Sequence, residues 1–142
     1  MIEQNFPPES VAVFFARVIL GILFFAQGYE KFFKLKISNV IDTIKPSYRK
    51  LKFPDGLITL TAYSTSFIEL LGGLLLIIGL FRYEAYYLLG FDLLIVSLGF
   101  SMLNALWDMQ YVLPRLLLLI LLLLLPPDYD RYSLDHLMRT GL

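Results

Sequence analysis

Five ionisable residues lie inside stretches that are otherwise almost free of charge: Arg17 and Glu30 in the first, Glu69 in the second, Asp92 in the third and Arg115 in the fourth. An ionisable group inside a bilayer costs roughly 2.5–3.5 kcal/mol on insertion scales, so each calls for a partner or a task. Counted at about 1.5 Å per residue from the side of the chain termini, Arg17 lies about 10 Å deep, Asp92 about 12 Å, Glu69 about 18 Å and Arg115 about 21–24 Å. Matched depth predicts an Arg17–Asp92 pair, with Glu69 a turn deeper and Arg115 beyond it. Helical phase puts Arg17 on a stripe with Gly21, Phe24, Gly28 and Lys31. Glu69 shares a stripe with Ala62, Thr65, Ser66 and Gly73, and Asp92 shares one with Ala85 and Gly99. Faces of small residues are where membrane helices approach closely, so these charges point into a bundle, away from lipid. Gly21, Gly28, Gly72, Gly73, Gly79 and Gly99 are read as packing positions. The cluster has three readings: a network that only fixes helix register, a binding or redox site, and a proton or ion relay.

Composition removes most other chemistry. The chain has 142 residues and no Cys, which excludes a disulfide framework, an iron–sulfur cluster, thiolate zinc and a thiol redox pair. The single His136 excludes a bis-histidine haem, so no intrinsic cofactor and no metal site is expected. Twelve basic residues balance twelve acidic ones, which gives no global field for nucleic acid. Asp128, Asp130, Asp135 and His136 read as a solvated tail.

The elements that carry the charged residues are membrane spans. The chain is 58% hydrophobic and 17% charged, with a mean hydropathy of +0.70. A soluble domain of this size could not cover so much apolar surface. The expected fold is all-α: a polytopic membrane protein with four transmembrane helices in a bundle, forming a single domain over 1–142. The spans are read at about residues 10–33, 57–81, 85–106 and 109–125, followed by a tail over 126–142, each span long enough to cross roughly 30 Å of hydrocarbon. Ser10 is the expected first cap, and the first apolar run is read as a retained span. Arg82-Tyr83-Glu84 and Trp107-Asp108 are the expected turns, Pro114 an expected kink, and Pro126-Pro127 the stop.

The connection over 34–56 has its own pattern. Ile37, Val40, Ile41, Ile44, Tyr48 and Leu51 share one helical arc, while Lys45, Arg49, Lys50 and Lys52 fall elsewhere. This predicts a short amphipathic segment on the membrane surface, broken into two pieces at Pro46, with Lys36 extending the basic set. The excess of Lys and Arg places this loop in the cytoplasm and both termini outside.

Three stretches together resemble the DoxX family of small bacterial four-helix membrane proteins. They are Ala16-Arg17-Val18-Ile19-Leu20-Gly21 leading to Gly28-Tyr29-Glu30-Lys31, then Glu69-Leu70-Leu71-Gly72-Gly73 leading to Gly79, and finally Arg131-Tyr132-Ser133-Leu134-Asp135. Arg17, Gly21, Gly28, Lys31, Glu69, Gly73 and Gly79 match the family pattern. The chain departs from it at Pro126-Pro127-Asp128-Tyr129-Asp130, where many members carry a Gly-rich turn. It also departs early in the last helix, where the polar position falls to Gln110 or Arg115. The resemblance implies a multi-pass protein of the bacterial inner membrane, surrounded by lipid bilayer. A DoxD relative is similar to a subunit of a thiosulfate:quinone oxidoreductase. The implied role is a membrane subunit or anchor of a redox complex, with a quinone headgroup held by Arg17, Glu69, Asp92 and Arg115 and electrons supplied by a redox partner subunit. A homo-oligomer is a further expected assembly. The alternatives are a non-catalytic scaffold docked through the basic loop, and a small-molecule or proton transporter using Glu69.

Overall fold

The computed structural model describes residues 6–103 and 105–141, with the backbone alone over 105–109. Among the described residues there are helices and no strands. Helix α1 spans Pro8–Tyr29 and runs on through a wider π turn at Glu30–Lys34. Then come α2 (Ile37–Lys50), α3 (Asp55–Ile78), α4 (Arg82–Leu103) and α5 (Ala105–Leu124). A short 3₁₀ turn at Pro127–Tyr129 leads into α6 (Leu134–Thr140).

Several boundaries differ from the sequence reading for backbone reasons. Pro8 itself opens α1, because its fixed φ and missing N–H suit the first helical position. Pro7 is the cap, and Ser10 is buried inside the helix. The break after α3 comes at Gly79, in the left-handed conformation at φ 73°, so Arg82, Tyr83 and Glu84 belong to the first turn of α4. Trp107 and Asp108 lie in helical backbone rather than a turn, since α4 ends at Leu103 and α5 begins at Ala105. Pro114 sits inside α5 without ending it, and the helix stops at Leu124, before Pro126.

Three stretches are long and apolar enough to cross a membrane: Pro8–Lys34, Asp55–Ile78 and Arg82–Leu103. The apolar part of α5, Gln110–Leu124, is shorter, about 22 Å at 1.5 Å per residue. Outward-facing Phe15, Leu60, Phe67, Phe91, Leu98 and Leu117 are more than half exposed, the reverse of a water-soluble surface. Such a surface belongs in lipid. Helix α1 packs on α3 and α5, α3 on α4, and α4 on α5. The α1–α3 crossing is close: a Cβ on Gly73 would stand 2.3 Å from the Phe25 amide nitrogen, and one on Gly28 would stand 2.5 Å from that of Leu70. Glycine is what lets these two backbones meet.

Helix α2 is one piece, not two. Pro46 lies inside it and removes a single ladder bond, while packing holds the helix on either side. Ile37 and Ile41 are buried against Ala62 of α3, with Phe32 and Ile44 alongside. At the far end the Tyr48 hydroxyl lies where a Cβ on Gly99 of α4 would be, 2.5 Å from that position. The arc expected to face lipid is thus docked on α3 and reaches α4.

Candidate functional site

Two groups of buried charge occupy opposite ends of the helices. The first lies toward the α2 side. Gln27 and Lys31 stand one turn apart on α1 and its π turn, facing Glu69 on α3. The Lys31 Nζ lies 2.9 and 2.7 Å from the two Glu69 oxygens, and Gln27 Nε2 donates to Oε1 at 3.0 Å. The π turn, closed by the Leu35 N–H donating to the Glu30 carbonyl at 2.9 Å, holds one residue more per turn than an α-helix. It changes which face Lys31 presents, and such single π turns recur at functional positions. Lys31 keeps 20% of its side chain exposed, whereas Glu69 keeps 2%.

Asp92 on α4 belongs to the same group. It is 0% exposed, and neither carboxylate oxygen has a hydrogen-bond partner among the described residues. Its strongest electrostatic neighbours are Glu69, then Lys31 and Arg115. Arg115 on α5 is half-buried, its guanidinium 5.7 Å from the Phe24 ring centre and its Nε without a hydrogen-bond partner among the described residues. Most buried polar groups are satisfied, so an orphaned carboxyl at this depth needs an explanation.

The second group lies at the tail end and is closed. Arg17 is 0% exposed and its Nε sits 3.0 Å from Asp130 Oδ2. Arg82 Nη1 approaches the same oxygen at 2.9 Å. The remaining Arg17 donors reach the carbonyls of Leu76, of Ile77 at 3.2 Å and of Tyr132 at 3.0 Å. Asp135 accepts from the backbone N–H groups of Phe81 and Arg82, both at 2.9 Å, and so caps α4 from another element. Ser133 caps α6 by accepting from the His136 N–H at 3.2 Å. The segment expected to be a solvated tail is folded into the end of the bundle: Asp130 and Ser133 are buried, and Asp135 is partly so.

The structure therefore separates the four predicted pocket residues. Glu69, Asp92 and Arg115 share one electrostatic neighbourhood, and Arg17 does not join it. The expected Arg17–Asp92 pair is replaced by Arg17–Asp130, because the tail returns to a depth that counting along the spans cannot register. Lys31, Gln27, Arg82 and Asp130 take places that the sequence reading did not assign to them. Of the packing glycines, Gly21, Gly28 and Gly73 lie at the α1–α3 crossing, Gly72 faces Leu89, Gly79 abuts Ser133 and Arg17, and Gly99 meets Tyr48. In the basic loop Lys36, Arg49, Lys50 and Lys52 are exposed and Lys45 is half-buried. Arg49 is engaged by Asp55, which ties the end of α2 to the start of α3. Among the described residues no group of His, Cys, Asp and Glu could hold a metal ion.

A family model, DoxX, matches residues 12–103. The match runs through α4, takes in Arg17, Lys31, Glu69 and Asp92, and stops short of Arg115 and Asp130. No curated protein and no solved structure matches the chain.

Proposed function

The chain belongs to the DoxX family, and from that premise we propose that it is a membrane subunit of a redox assembly in the bacterial inner membrane that binds a quinone headgroup. Helices α1, α3, α4 and α5 are taken as four spans of one bundle. The binding centre is Asp92 with Glu69, Lys31 and Arg115, while Arg17 serves the tail-end cluster. The observation that carries the reading is Asp92: a carboxyl group at 0% exposure whose two oxygens find no hydrogen-bond partner among the described residues. A quinone carbonyl or quinol hydroxyl offers the hydrogen bond that this group lacks. Elsewhere on α4, a groove of about 300 Å³ opens between α4 and α5, lined by Gly90, Leu93, Ser97, Val112, Leu116 and Leu119 and not by Asp92 itself. Its apolar walls suit an isoprenoid chain entering from lipid. A chain with no Cys and one tail His supplies no thiolate or bis-histidine electron carrier of its own, so the electrons come from a partner subunit.

The test is quinone analysis of protein extracted from native membranes in mild detergent. Bound quinone is expected in the wild type and is lost in Asp92→Leu, with the unfolding temperature retained. Absence of quinone from the folded wild-type protein overturns the reading. A scaffold role draws on a different observation, the exposed cations Lys36, Lys50 and Lys52 around α2. Replacing these with Gln then abolishes complex formation and leaves the bundle intact.

A further inference from the structure

We propose that Asp92 is a proton-binding site that exchanges with water on the α2 side through Glu69 and Lys31. The inference concerns the same centre as the quinone reading but does not require a quinone to be bound. Its ground is geometric. An ionised carboxylate with no hydrogen bond and no paired cation is costly in a buried position, and the carboxylic acid is the form that avoids the cost. Among the described residues, Asp92 stands in that position on α4. The charged groups whose fields act on it are Glu69 on α3, Lys31 on the π turn and Arg115 on α5.

Exposure is graded among these groups. Lys31 reaches the surface with 20% of its side chain, Glu69 holds both of its contacts at 2%, and Asp92 is 0% exposed. The Lys31–Glu69 contact is the outer relay step: an ammonium with three rotatable N–H donors on a carboxylate that also accepts from Gln27. Among the described residues the opposite end offers no equal opening. There Asp130 lies between Arg17 and Arg82 beneath the folded tail. The cavity among Val13, Tyr86, Leu122 and Asp130 measures about 10 Å³, room for a single water at most. Among the described residues, the graded exposure favours exchange from the α2 side.

The experiment uses the full chain in lipid nanodiscs and infrared spectroscopy of the carboxylic acid C=O stretch, with transfer from H₂O to D₂O. A protonated-carboxyl band is expected in the wild type and is lost in Asp92→Asn. Exchange of that band in D₂O slows about tenfold or more in Glu69→Gln and Lys31→Gln, an added barrier of about 1.4 kcal/mol. A second measurement needs no variant. A hydrophobic carbodiimide adds across a protonated carboxyl, the proton passing to nitrogen and the oxygen to the central carbon, and rearranges to a stable acylurea that retains all atoms of both. Peptide mapping of the treated wild type is expected to find the adduct on Asp92. A band that survives in folded Asp92→Asn, or a carbodiimide adduct found elsewhere or nowhere, overturns the site. Unchanged exchange in both relay variants overturns the route. Absence of quinone from the wild type, with the band intact, sinks the quinone reading alone.

Discussion

A single carboxylate, Asp130, is shared by two buried guanidiniums. Removing one partner of a buried ion pair strands the others, at a cost of about 3–5 kcal/mol. Asp130→Ala is expected to lower thermal stability on that scale, read by unfolding of the purified protein in detergent. A double-mutant cycle of Arg17→Met with Asp130→Leu should show strong coupling, whereas Arg17→Met with Asp92→Leu should be additive. The Arg49–Asp55 pair is the contrast: it is exposed, and Arg49→Ala should leave the unfolding temperature unchanged. Arg17, Glu69 and Asp92 were legible in the sequence because a charge inside an apolar run is conspicuous. Lys31 was within reach too, four residues beyond Gln27 on the Gly21–Gly28 face. Asp130 was not, since a short run of Pro, Asp and Tyr after the last span has the composition of a wet tail. Only the return of the chain reveals it, through contacts such as Arg17–Tyr132, separated by 115 positions.

Among the helices, the α1–α3 crossing sets the geometry on which both charge groups depend. A side chain at Gly73 meets backbone, the Phe25 amide nitrogen at 2.3 Å and the Gly21 carbonyl oxygen at 2.7 Å, so no rotamer relieves it. Gly73→Val is expected to destabilise by about 1–3 kcal/mol or more and to weaken the Lys31–Glu69 contact. Gly56, in the first turn of α3, has open space where a methyl group would project, with nothing within 4 Å, and Gly56→Ala should stabilise by about 0.4–1 kcal/mol. Both are measured as shifts in unfolding temperature. Glycine spacing made the packing faces of α1 and α3 readable, since small residues recur there with helical period. The course of α2 was not readable. Its amphipathic arc is equally consistent with a lipid surface or with another helix, and Pro46 favours a break that packing of Ile37 and Ile41 overrides.

Taken whole, the molecule is sealed at one end and graded in exposure at the other. The seal is the segment from Pro126 to Thr140, which brings Asp130 to two arginines and Asp135 to the start of α4. Ending the chain after Pro127 should therefore destabilise it more than Asp130→Ala does, and limited proteolysis should cut within the tail of Asp130→Ala faster than in the wild type. The all-helical membrane character and the family were legible from hydropathy and the two motifs within residues 12–103, because spans announce themselves by length. Which end is closed depends on a connection between the first span and the last segment, and no local pattern records it.

That connection has a consequence for biogenesis. Arg17 enters the bilayer early in translation, while the acid that neutralises it, Asp130, lies more than a hundred residues further along and has yet to be synthesised. During that interval the nascent first helix must keep its guanidinium at the headgroups or within the insertion machinery. Final seating of α1 is therefore a late event, set by arrival of the chain's other end rather than by the order in which the helices emerge.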